Sequence, residues 1–159
     1  AGQGVAPADA PRVLVTGSPM AIPNWKLHDI IEKAGAVVVA EEMCTGSRYF
    51  DTLTDETPET LEGMLDAIAQ KYLGINCACF TPNEGRMDDV VRMAEEYGAQ
   101  GVIHYARQFC TPYQMEAHGV EKASRKAGLP VLRIDTDYSM EDIGQLQTRV
   151  EAFVEMLGD

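Results

Sequence analysis

Apolar residues along the chain alternate between short unbroken runs and longer stretches in which they recur every three or four positions. The run Val13-Leu14-Val15 ends at Thr16-Gly17-Ser18-Pro19, and Trp25, Leu27, Ile30, Ile31 and Ala34 then follow at helical spacing as far as Gly35. This predicts one strand-turn-helix unit. A second strand is predicted over 36–40, then an irregular stretch over 41–50, then a helix with an acidic first turn near Thr57-Pro58-Glu59. That helix carries Leu61, Met64, Leu65, Ile68 and Tyr72 on its apolar face and stops at Gly74. The run from Ile75 to Phe80, closed by Thr81-Pro82-Asn83, reads as a third strand, and Met87, Val90, Val91 and Ala94 form a helix face that ends at Tyr97-Gly98. Gly101 to His104 reads as the fourth strand, Pro112 to Lys126 as the next helix, Leu129 to Asp135 as the fifth strand and Met140 to Leu157 as a closing amphipathic helix.

Short apolar strands separated by helices imply a parallel sheet covered on both faces and joined by right-handed crossovers. The expectation is an α/β fold, a three-layer αβα sandwich with a five-stranded parallel sheet, flavodoxin-like or Rossmann-like, in the order 2-1-3-4-5. Residues 1–11, rich in Ala, Gly and Pro, read as a linker or cut end, and 12–159 as a single domain.

The charge balance narrows the function. With 25 acidic against 13 basic residues, a formal net charge of -12, the chain lacks the cationic surface that nucleic acids and anionic membranes attract. No apolar run reaches membrane-spanning length and no export signal is visible, so a cytoplasmic location is expected, with the four cysteines reduced. That raises metal binding or catalysis above disulfide bonding.

In open parallel sheets, ligands collect beyond the carboxyl ends of the strands. Cys44 after the second strand, Cys79 at the end of the third and Cys110 after the fourth are therefore expected to converge there. Thiolates suit soft metals and iron-sulfur clusters, and the helix N-terminus near Pro112 would favour a negative sulfur on Cys110. Cys77 reads more readily as a small buried hydrophobe than as a ligand. On a strand, Cys77 and Cys79 share one side, about 6.5 to 7 Å apart, which disfavours a disulfide between them. His104, placed at a strand end, is a candidate proton donor. Arg48, Arg86 and Arg107 flank edge loops, where they could neutralise an anion or form ordinary salt bridges. The turn after the first strand has neither the glycine nor the lysine pattern of a phosphate loop, and no cobalamin or phosphoacceptor motif is present.

The stretches GAVVVAEEMCTGSR (35–48), NCACFTPNEGR (76–86), GVIHYARQFCTPY (101–113) and LPVLRIDTDYSMEDIGQLQTRVEAF (129–153) resemble the C-terminal domain of the 2-hydroxyacyl-CoA dehydratase and benzoyl-CoA reductase family. The segments around Cys44 and Cys77-Ala78-Cys79 are similar to its double-cubane-cluster branch. The resemblance implies an oxygen-sensitive iron-sulfur reductase or dehydratase that receives low-potential electrons from an ATP-hydrolysing activator with its own cluster. It implies Cys110, Cys44 and either Cys77 or Cys79 as ligands of a [4Fe-4S] or double-cubane cluster, with Cys79 preferred for its place nearer the strand end. It also implies a further domain or second subunit supplying more cysteines, in a homodimer or heterodimer. On that reading the chain alone is inactive and holds a cluster incompletely or not at all. The competing expectation is a cofactor-free, flavodoxin-like assembly module.

Overall fold

In the computed structural model, residues 4, 6–80 and 82–158 are described. Four strands, β1 (Arg12–Gly17), β2 (Val37–Glu42), β3 (Gly101–Arg107) and β4 (Val131–Thr136), form one sheet in the order β2-β1-β3-β4. Every neighbouring pair is parallel. The helices are α1 (Lys26–Lys33), α2 (Leu61–Leu73), α3 (Glu84–Glu96), α4 (Thr111–Lys126) and α5 (Ile143–Gly158), with a 3-10 turn over Ser47–Tyr49.

Period-two alternation along the strands builds the layers. Val13, Val15, Ile103, Tyr105 and Ile134 face α1 and α5, where they meet Leu27, Ile31, Leu146 and Val150. Leu14 and Val102 face the other way, against Val90, Met93 and Ala94 of α3 and Val120 of α4. Burying both faces is why the strands read as unbroken apolar runs. The result is the expected three-layer arrangement, with α2 outside it: only Ala67 of its residues is buried.

The sheet has four strands, not five. Residues 75–80, read as the third strand, form tight turns in which Cys77 N–H donates to the Ile75 carbonyl at 2.8 Å and Phe80 N–H to that of Cys77 at 2.9 Å. The Asn76 side chain donates to Asp89 of α3 at 2.7 Å, which ties the segment to the helix N-terminal region. Amides bonded so locally have no need of a ladder partner. The strand-based separation of Cys77 and Cys79 falls with the strand. Thr81, part of the expected closing turn, lies outside the described residues, as do 1–3 and 5 of the expected linker. The end of that linker is anchored: Ala10 is buried, and the Pro11 carbonyl accepts from Val37 N–H at 2.8 Å.

The chain leaves β1 toward β2 on one side and returns to β3 on the other, so the order reverses at β1. Gly17 ends β1 at φ +133°, and a Cβ there would lie 1.9 Å from the Tyr105 carbonyl oxygen. Ser18 N–H donates to that same oxygen at 2.9 Å, so the loop after β1 presses onto β3.

Candidate active site at the carboxyl edge of the sheet

The loops after β2 and β3 and the turns before α3 meet around Tyr113, in the first turn of α4. Tyr113 is buried with Ala78 and Ala106, and Cys110 packs against this group. This brings the turn holding Cys77 and Cys79 beside the residue that opens α4, since Cys110 occupies the N-cap position. Phe109, just before it, has φ +66°, an uncommon conformation for a side chain of that size, and is exposed. Cys44 and Cys79 are exposed, and Cys77 and Cys110 half-buried.

Arg48 links these thiols to the core. Its Nη1 donates to Cys44 Sγ at 3.4 Å and to the Tyr113 hydroxyl. Its Nε donates to Glu42 at 2.7 Å. The Tyr113 oxygen in turn lies 3.9 Å from Cys77 Sγ. Arg86, fully buried, donates to Glu42 at 3.1 Å, to Glu116 at 2.5 Å and to the Thr16 hydroxyl at 2.8 Å. Both guanidiniums stack near the Tyr113 ring, with centroid distances of 5.5 Å for Arg48 and 4.9 Å for Arg86. Two carboxylates thus balance two guanidiniums in a buried network, which is how charges are tolerated away from water.

The thiols influence one another. Burial raises the Cys77 pKa, but the Cys79 amide and thiol, Tyr113 and the Arg48 charge outweigh it and draw it below the ordinary thiol value. Cys79 moves the opposite way, raised chiefly by the neighbouring Cys77 thiol and its charge, with smaller contributions from Cys44 and Cys110. All four cysteines therefore share one electrostatic neighbourhood. Burial likewise pushes the Tyr113 hydroxyl well up, against the pull of Arg48.

The remaining candidates fall in different places. Arg48 and Arg86 are built into the network, whereas Arg107 is exposed at the strand end and stacks on Tyr138 at 4.3 Å. His104 does not end its strand: β3 runs on to Arg107, and His104 pairs with Thr16 and Arg133 inside the sheet. The ring is 1% exposed and its Nε2 has no partner among the described residues. Burial, with the Arg86 and Arg133 charges, pulls its pKa down to about 3. Glu42, Tyr113, Thr16 and Glu116 were not singled out from the sequence. An acid closing the Val-rich β2 was the one available signal, because an acid there must find a partner.

Over residues 1–157 the chain matches the family described as 2-hydroxyglutaryl-CoA dehydratase, D-component. The chain belongs to the 2-hydroxyglutaryl-CoA dehydratase D-component family. Among similar proteins is the one named "Putative dehydratase subunit YjiM" in Escherichia coli (strain K12), 40% identical over 148 residues, which are 92% of this chain and 38% of that protein. The (R)-phenyllactyl-CoA dehydratase beta subunit of Clostridium sporogenes is 30% identical over 95% of this chain and 39% of its own length. The (R)-2-hydroxyglutaryl-CoA dehydratase subunit beta of Acidaminococcus fermentans is 29% identical over 94% of this chain and 39% of its own. The chain therefore spans about two fifths of the length of the curated relatives it matches.

Among the described residues, no three His, Cys, Asp or Glu side chains are set to hold a single metal ion. A cubane is ligated at its corners, so its thiolates stand farther apart than the ligands of one ion. Four thiols, with a guanidinium and a phenol beside two of them, supply the donor chemistry that such a cluster takes. Among the described residues no helix is long and apolar enough to cross a membrane.

Proposed function

We propose that this chain is the cluster-binding part of a 2-hydroxyacyl-CoA dehydratase-type subunit, with Cys44, Cys110 and one of Cys77 or Cys79 as its ligands to a [4Fe-4S] or double-cubane cluster. The observation that carries this reading is the gathering of Cys44, Cys77 and Cys110 about Tyr113 and Arg48 at the carboxyl edge of the sheet, with Cys79 in the turn beside Cys77. When bound, such a cluster supplies single-electron transfer at low potential. Arg48 holds Cys44 in place and offers positive charge to a thiolate-rich site. Tyr113 sets the depth of the Cys77 turn. Glu42 and Arg86 fix Arg48 from behind, as supporting residues around metal ligands do. The rest of a full-length subunit, or a second subunit, would complete the coordination and shield the site, and an ATP-hydrolysing activator would deliver electrons. The substrate class is a 2-hydroxyacyl-CoA, as in the names of the relatives.

A cofactor-free assembly module is the second reading, favoured by the exposed apolar side chains of α2. Anaerobic reconstitution of the intact subunit with ferrous iron and sulfide separates the two. The cluster reading expects broad visible absorption and iron and sulfide uptake above that of the C44A/C110A variant, even if incomplete. Equal uptake by both chains contradicts it.

A further inference from the structure

Helix α2 is inserted between β2 and the crossover helix α3, and it carries an apolar seam that nothing in this chain covers among the described residues. Leu61, Leu65, Ile68 and Tyr72 recur at spacings of four, three and four, which stacks them along one side of a helix. All four are exposed, and Leu61 remains 74% accessible. The one buried residue, Ala67, lies about a third of a turn away round the helix, so the seam is not the side that α2 buries. Exposed contiguous apolar surface of this kind marks an interaction site more often than chance. At its C-terminal end the seam runs into the thiol edge: Tyr72 hydrogen-bonds Tyr49, one residue from Arg48, at 3.1 Å, and the turn with Cys77 and Cys79 follows Gly74.

Charge limits what fits there. Glu62 and Asp66 fall on one flank of the seam, Asp55, Glu56 and Glu59 lie in the stretch leading into α2, and Lys71 is the one basic residue between positions 54 and 73. Lys71 is itself drawn over the Tyr49 and Tyr72 rings, at 5.6 and 5.4 Å. A second copy laid on this seam would set one acidic border against another, in a chain already at -12. A complementary surface is an apolar helix bordered by Lys and Arg. The relatives supply a source, since this chain matches only 38 to 39% of each, leaving about three fifths of a subunit to be placed.

We infer that α2 is the docking helix for the remainder of a full-length family subunit, received as an amphipathic helix with basic flanks. The inference stands on family membership and on the surface of α2, and does not depend on a cluster being bound.

The test places the photo-crosslinker benzoylphenylalanine at position 65 of the intact protein in its own cells, with position 70, on the polar side of α2, as control. Cross-linked peptides are identified by mass spectrometry. The expected product joins position 65 to an apolar helical peptide flanked by Lys or Arg, from family-subunit sequence outside residues 1–159. The L65K/I68K variant should stay folded by circular dichroism and lose more than nine tenths of the product at a crosslinker moved to position 61. Products within 1–159 of a second copy, from an unrelated protein, or without basic flanks overturn the inference. So does a yield no higher at 65 than at 70.

Discussion

Arg48 reaches Cys44 across the turn that leads out of β2, its Nη1 donating to the sulfur at 3.4 Å. The same guanidinium is held by Glu42, whose side chain is 3% exposed. Replacing Arg48 by Met leaves that carboxylate with Arg86 and Thr16 alone. Breaking a buried ion pair commonly costs 3 to 5 kcal/mol, and the remaining partners should reduce the loss to about 2 to 3 kcal/mol. Urea unfolding measures it, and R48K should recover part. A loss below about 0.5 kcal/mol would mean that Arg48 is not integral to the fold.

Tyr113→Phe keeps the ring between two guanidiniums and removes the hydroxyl that meets Arg48 and Cys77. The expected cost is about 1 kcal/mol, the usual size of one lost hydrogen bond. Tyr113→Ala also empties a buried site and should cost about 3 to 5 kcal/mol. If the two variants unfolded alike, the ring would not be packed as described.

His104 gives the protein an acid limit well above the carboxylate range. Its pKa is depressed to about 3 from the ordinary 6.5. Between those values the unfolded chain binds the proton and the folded chain does not, so stability falls as pH falls below 6.5. At pH 5 the loss is about 2 kcal/mol relative to pH 8, an order-of-magnitude figure for a largely buried ring. His104→Gln should flatten the profile between pH 7 and 5. An unchanged slope in that variant would assign the effect to other groups.

Gly17 and Gly35 both have positive φ, but only Gly17 faces a backbone oxygen where a side chain would begin. Gly17→Ala should therefore cost about 3 kcal/mol or more, whereas Gly35→Ala, with open space around it, should cost about 1 kcal/mol. Comparable unfolding midpoints for the two would contradict the close approach of β1's end to Tyr105.

The sheet was largely legible because strands buried on both faces read as unbroken apolar runs. The failure at 75–80 has the same root: Ile-Asn-Cys-Ala-Cys-Phe has strand-like composition, and so short a run carries no period to separate strand from turn. Periodicity showed α2 as a helix, but it does not say what a stripe packs against, and here the stripe is exposed. The cysteines were visible as thiol chemistry placed by topology. Glu42 and Tyr113 were not, because their roles arise from contacts with Arg48, which meets Tyr113 from 65 residues away. Nor did the pattern reveal that β3 continues past His104, which moved that ring from the edge into the core.

The central claim is that thiols from three separate segments serve one cluster, and differential alkylation tests it most directly. The intact subunit is reconstituted anaerobically with iron and sulfide or left without them, then treated with iodoacetamide, and each of the four cysteines is quantified by mass spectrometry. The prediction is protection of Cys44, Cys110 and one of Cys77 or Cys79 in the loaded sample. Equal alkylation of all four cysteines with and without iron and sulfide would contradict the account.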